Sequence, residues 1–191
     1  MPLVVFATEG ETERAYLKAL LTNRYGGIAF KFVSSRNRSS LTNLVDSIRC
    51  EEKNEAPSGV AGAWIVCDRD ENAPHRAKLE KWLDESERHH AAISHLCLEY
   101  WFLLHLCENP SSASAQKAVK ELEKAWRWGE YKKGGQAPPE LIGATDEAVR
   151  RVLQRRQSLG DDADAWNSSQ WTDMPKLIAW LDELDPGEAR H

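Results

Sequence analysis

The chain opens with an apolar run. Leu3, Val4, Val5 and Phe6 stand consecutively, without the polar alternation of a half-exposed strand. That pattern predicts a short strand over residues 3–8, covered on both faces. The period then changes. Tyr16, Leu17, Leu20 and Leu21 recur at three- and four-residue intervals, which predicts a helix over residues 11–24. Thr8-Glu9-Gly10-Glu11 has the spacing of a capping box at its start. Residues 28–34 predict a second strand, and Ser39–Glu52 a helix with Leu41, Leu44, Val45 and Ile48 inward. A loop with Pro57 and Gly59 leads to a third strand over residues 61–67. Pro74–His90 reads as a charged amphipathic helix built on Leu79, Trp82 and Leu83, and Ala91–Ser94 as a short fourth strand. The alternation β-α-β-α-β-α-β predicts an α/β fold, a mostly parallel four-stranded sheet flanked by helices.

The second half has another texture. Leu96–Cys107 is apolar almost all round, the mark of a buried helix, and only Glu99 and His105 interrupt it with ionisable groups. Those two lie about 120° apart on a helix and do not face one point squarely. Ala113–Trp126, Thr145–Gln157 and Asp173–Leu184 read as further helices. Trp128–Pro139 reads as a Gly/Pro/Lys-rich loop and residues 158–169 as a linker. Residues 1–95 are therefore expected to form the α/β core, with residues 96–191 a helical portion packed on it in one domain.

Composition narrows the class. Apolar residues make up 41% of the 191, enough for a substantial core. No apolar stretch reaches the ~18 residues of a membrane span, and Met1-Pro2-Leu3 lacks the basic region of a signal peptide, so a cytoplasmic protein is expected. Cys50, Cys67, Cys97 and Cys107 form no Cys-x-x-Cys pair, and buried reduced thiols are the expected reading. A net charge of −5 argues against broad coating of nucleic acid but not against a local basic patch.

The candidate chemistry lies in two acidic clusters, each placed after an apolar strand: Glu9-Gly10-Glu11-Thr12-Glu13 and Asp68-Arg69-Asp70-Glu71. Ligands of open α/β sheets bind outside the carboxyl ends of the strands. Carboxylates gathered there raise one another's pKa unless a cation intervenes, and Mg²⁺ suits hard oxygen donors. Glu9, Asp68 and Asp70 thus form a candidate Mg²⁺ site. The bland alternatives are a surface turn for Asp68-Arg69-Asp70 and helix-terminus charges for Glu9 and Glu11. Glu13 fits the bland reading poorly, because its position lies toward the inward stripe of its helix. Glu99 needs a partner in its apolar helix and favours a site role, whereas His105 reads equally well as a core histidine. His89, His90, His95 and Cys97 match no standard zinc spacing. Basic residues gather at Arg36 and Arg38, at Lys132 and Lys133, and over Arg150–Arg156, where solvated faces are the ordinary reading. Trp126, Trp128 and Tyr131 interleave with Lys132 and Lys133, a pattern suited to stacking on unpaired bases. No Gly-rich phosphate loop supports a nucleotide-binding protein.

Taken together, these segments resemble the RloB family, whose fold is Toprim-like. Glu9-Gly10-Glu11-Thr12-Glu13-Arg14-Ala15-Tyr16-Leu17 resembles its EGxxTExxYL motif, and Trp64–Glu71 its strand ending in DxDE. Ser94–His105 resembles its SNPCFExWLLLH motif, with His95-Leu96 in place of Asn-Pro. Tyr131-Lys132-Lys133 is similar to its YxK, and Asn167–Leu181 to its closing NPxTxxxxLVxxL, with Ser168 in place of Pro. The resemblance runs nearly end to end. It implies a Mg²⁺-dependent nuclease, with Mn²⁺ as a substitute, tied to prokaryotic anti-phage defence and cutting RNA such as tRNA, or DNA. Carried over, Glu9 is general acid/base and joins Asp68, Asp70 and Glu71 at the metal. Glu13 and Glu99 are supporting acidic groups, and Lys133 is a phosphate or transition-state contact. A companion defence protein and a homodimer are compatible with this reading, and a membrane is not expected. The competing function is a non-catalytic or regulatory defence subunit that works by protein or nucleic-acid binding.

Overall fold

The computed structural model describes residues 1–33, 40–55, 59–69, 72–159 and 163–185. The opening apolar run forms β1 (Leu3–Thr8), with all but Leu3 buried. It pairs in parallel with β2 (Ala29–Val33) on one side and β3 (Val60–Asp68) on the other. β3 in turn pairs in parallel with β4 (His89–His95). A fifth strand, β5 (Trp171–Thr172), runs antiparallel to β4, so the order is β2-β1-β3-β4-β5. The sheet therefore has five strands and not the expected four. Two residues are too few to show an alternating pattern, and β5 is fixed by tertiary bonds. Asp173 N donates to Ile93 O at 3.0 Å, and the Ser94 and Thr172 hydroxyls lie 3.1 Å apart.

Alternate residues of the strands feed two cores, as a two-sided sheet requires. Val4, Phe6, Trp64 and Val66 pack with Tyr16 and Leu17 of α1 (Glu11–Arg24), Trp101 of α4 (Leu98–Leu106) and Leu177 of α8 (Met174–Leu184). Val5, Ala7, Ile65 and Cys67 pack on the other face against Leu44 and Ile48 of α2 (Leu41–Asn54) and Trp82 of α3 (Arg76–Leu83). The helices α5 (Ala115–Ala125), α6 (Pro139–Gly143) and α7 (Thr145–Gln157) complete the first face.

Two local expectations change. The helix expected over Pro74–His90 is a 3₁₀ turn (Ala73–His75) followed by α3, which stops at Leu83. His89 and His90 belong to β4, because their rings find aromatic partners there. His89 stacks on Trp82 at 4.3 Å, its Nδ1 2.6 Å from Trp82 O, and His90 stacks on Trp64 at 4.7 Å. The capping box is also absent. The N-cap of α1 is Gly10, without a side-chain cap, since Thr8 is committed to the sheet. His105 is a core histidine: Nδ1 donates to Trp101 O at 2.9 Å, and burial pushes its pKa down to about 4.

The thiols of Cys67 and Cys97 are buried and free, and burial pushes both pKa values up. Cys50 is exposed and Cys107 half-buried. Among the described residues no helix is long and apolar enough to cross a membrane.

Candidate active site

The parallel strands bring their carboxyl ends to one edge of the sheet, and four carboxylates arrive there by two routes. Glu9 follows β1 directly and Asp68 ends β3, the neighbouring strand. Glu13 and Glu99 sit in the first turns of α1 and α4, the helices that leave β1 and β4. Helix N-termini favour negative charge, which eases the burial of both. Glu13 is 7% and Glu99 3% exposed, so neither is a solvated surface acid.

Glu9 Oε2 accepts from the Asp68 backbone N–H at 3.0 Å and from Asn72 Nδ2 at 2.8 Å. These bonds tie the end of β1 to the turn after β3. Asp68 Oδ1 and Glu13 Oε2 are enclosed without a hydrogen-bond partner. Burial, then the nearby Glu13, Glu9 and Glu99, pushes the Asp68 carboxyl up to about 9. Burial and Glu99 also raise Glu13. Two enclosed carboxyl oxygens that lack donors, among like charges, match the donor chemistry of a hard cation.

Cations and hydroxyls come from the loop between α5 and α6. Tyr131 OH donates to Glu99 Oε1 at 3.0 Å, and Lys133 Nζ lies 3.5 Å from the same oxygen. The Lys133 side chain is 67% exposed, so its ammonium reaches solvent beside the buried acids. Glu99 raises the Lys133 pKa and keeps it charged. The loop is pinned to α1 by Gly134 N, which donates to Thr12 Oγ1 at 3.0 Å. Gly134 has φ +72°, and a Cβ there would approach Glu11 Cβ at 3.1 Å, so the crossing demands glycine. At Gly10 a Cβ would stand 2.8 Å from Glu13 Oε2. The bare backbone there leaves room for the Glu13 carboxylate.

Thus Glu9, Glu13, Asp68, Glu99 and Lys133 share one edge of the sheet. Asp70 and Glu71 lie outside the described residues, as do Arg36 and Arg38. Among the described residues no three His, Cys, Asp or Glu side chains are grouped to hold one ion. Mg²⁺ commonly takes one or two carboxylates and completes its shell with water and phosphate, so Glu9 and Asp68 fit that pattern in kind.

The arginine run of α7 is not part of the site. Arg151 donates to Leu104 O at 2.7 Å and Arg156 to Thr172 O at 2.7 Å, while Arg155 donates to the Tyr100 hydroxyl and to Pro110 O. They hold helices and loops together.

Sequence reasoning missed Asn72. It is 1% exposed and makes three bonds: Nδ2 to Glu9 Oε2 and to Asp68 O at 2.8 Å each, and Oδ1 from Leu41 N at 2.9 Å. The signal was its place directly after the second acidic cluster. Asn72→Ala strands buried backbone groups and is expected to cost about 2–4 kcal/mol. At this size that lowers the melting temperature by about 5–10 °C. A thermal melt checks it, and an unchanged Tm would refute the structural role.

Over residues 4–181, from within β1 into α8, the sequence matches the family described as RloB-like protein. No curated protein and no solved structure matches the chain. With nearly its whole length covered by that match, the chain belongs to the RloB-like protein family.

Proposed function

We propose that the protein is a metal-dependent nuclease that hydrolyses phosphodiester bonds of RNA, such as tRNA, or of DNA, in prokaryotic anti-phage defence. The observation that supports it is the enclosure of the unpartnered Asp68 Oδ1 and Glu13 Oε2 at the carboxyl edge of the sheet, beside the exposed Lys133 ammonium. Glu9 and Asp68 would hold Mg²⁺, with Asp70 and Glu71 as further donors. The bound ion would polarise the phosphodiester and acidify water.

The protein's own groups do the rest. Glu9, oriented by Asp68 N–H and Asn72, takes and returns a proton at its carboxylate. Lys133 meets a phosphate oxygen, and Glu99 aims it together with Tyr131. Tyr16 and Tyr100 have pKa values raised by burial, and Tyr131 is raised by burial and Glu99. Tyr131, the tyrosine beside the acids, commits its hydroxyl to Glu99, and water serves as the nucleophile.

The second reading, a regulatory subunit without catalysis, has one point on its side: burial and the neighbouring acids oppose ionisation of Asp68 while no cation is bound. Incubation with tRNA, other RNA, single-stranded DNA and plasmid, in Mg²⁺, Mn²⁺ or EDTA, separates the two. The expected result is cutting of one substrate class that EDTA stops. No cutting of any substrate in either metal would refute the nuclease and leave the regulatory subunit.

A further inference from the structure

Beside the acid centre lies a groove of about 180 Å³, lined by Trp126, Trp128, Tyr131, Lys132, Gln136 and Thr12 among others. It shares two residues with the site. The Tyr131 ring lines the groove while its hydroxyl holds Glu99, and Thr12 lines it while pinning Gly134. The aromatic rings brace one another. Trp126 stands edge-on to Trp128, and also to Tyr131, with centroids 5.1 Å apart in each case. All three are half-buried in a loop in which residues 127, 129, 130 and 132–136 are exposed.

Half-buried aromatic rings in such a loop can serve the core with one flank and a ligand with the other. All three pack one flank against the core, and Trp126 also meets Phe102 at 6.5 Å. The parts of Trp128 and Tyr131 that stay exposed line the groove. Apolar Phe102, Ala137 and Pro138 also line the groove, and its polar groups are the exposed Gln136 amide, which both donates and accepts, and an exposed Lys132–Glu130 ion pair at 3.4 Å. An apolar protein segment would leave the Gln136 amide unmet. A planar heterocycle with a hydrogen-bonding edge uses the ring faces and the amide together, and a phosphate attached to it has the exposed Lys133 ammonium nearby.

We propose that this groove seats one unpaired nucleobase, stacked on Trp128 and Tyr131 and edged by Gln136, so that an adjacent phosphate meets Lys133 and the acid centre. This rests on the nuclease reading for the identity of the substrate. A paired base does not enter, because its faces are stacked within the duplex. The substrate class is therefore a single strand or a loop, and the groove fixes which phosphate is presented.

The test is binding in EDTA, where no chemistry intervenes. Fluorescence anisotropy measures a labelled single-stranded decamer, a hairpin with an unpaired loop, and a blunt duplex, each as RNA and as DNA. The wild-type protein is expected to bind single strand and hairpin at least about tenfold more tightly than duplex. Trp128→Leu, which keeps bulk without a π face, is expected to lose about tenfold on the single strand and nothing on the duplex. Trp128→Phe is expected to recover most of that loss. Thermal melts establish that both variants are folded. Equal binding of strand and duplex, a folded Trp128→Leu with wild-type affinity, or binding of no oligonucleotide each overturns the proposal. Stacking without cleavage in Mg²⁺ fails the nuclease reading and keeps the base site. Cleavage indifferent to Trp128 does the reverse.

Discussion

Glu9→Gln is expected to reduce Mg²⁺-dependent cleavage by about 10²–10⁴-fold while the protein melts within a few degrees of wild type. The amide oxygen of glutamine still accepts from the Asp68 backbone N–H and from Asn72, the two bonds that Glu9 Oε2 makes now. The tie between β1 and the turn after β3 therefore survives. What is lost is a group that takes up a proton, together with one negative charge for the cation. Glu9→Ala is the contrasting variant. It strands the same two donors and should lower the melting temperature as well as the activity. The measurement is cleavage rate in Mg²⁺ alongside a thermal melt. Wild-type cleavage by Glu9→Gln would end the acid/base assignment.

Asp68→Asn is expected to do something less usual, to stabilise the metal-free protein while removing its activity. The ordinary value for this carboxyl is 3.8, and in the folded protein it stands at about 9. Between those limits the folded state holds a proton that the unfolded chain has released. The group's contribution to stability is thus complete below about pH 4 and is lost as pH rises toward 9, at up to about 1.4 kcal/mol per pH unit. Asparagine carries no such penalty. In EDTA at pH 8 the variant should melt about 5 °C or more above wild type, and the gap should close near pH 4. In saturating Mg²⁺ the wild type should gain stability that the variant does not. Melts at pH 4, 5 and 8, with EDTA and with Mg²⁺, decide it. A gap that does not change with pH would refute the account.

How much of this is legible in the sequence depends on the range of each interaction. β1 and α1 were readable to the residue, because an unbroken apolar run and a 3.6-residue stripe are local signals. The same holds for α7. β5 was not readable, since a pair of residues has no period and its partners lie some eighty positions earlier. The end of α3 was misplaced because His89 and His90 are polar in sequence and aromatic in the fold, each stacked on a tryptophan. At the site, Glu9 and Asp68 were visible as charges at the ends of buried strands. Glu13 and Glu99 were visible as charges on apolar faces, an anomaly that pattern detects well. Asn72 was invisible because a neutral amide near a turn is unremarkable until its three partners are known.

The arginines of α7 carry one more consequence. With Arg151, Arg155 and Arg156 spent on carbonyls and a hydroxyl, and an overall charge of −5, the protein does not draw polyanions from a distance. Little counterion is displaced by a few lysines, so binding that depends on them varies gently with ionic strength. Encounter is correspondingly slow and undiscriminating sliding along nucleic acid is disfavoured.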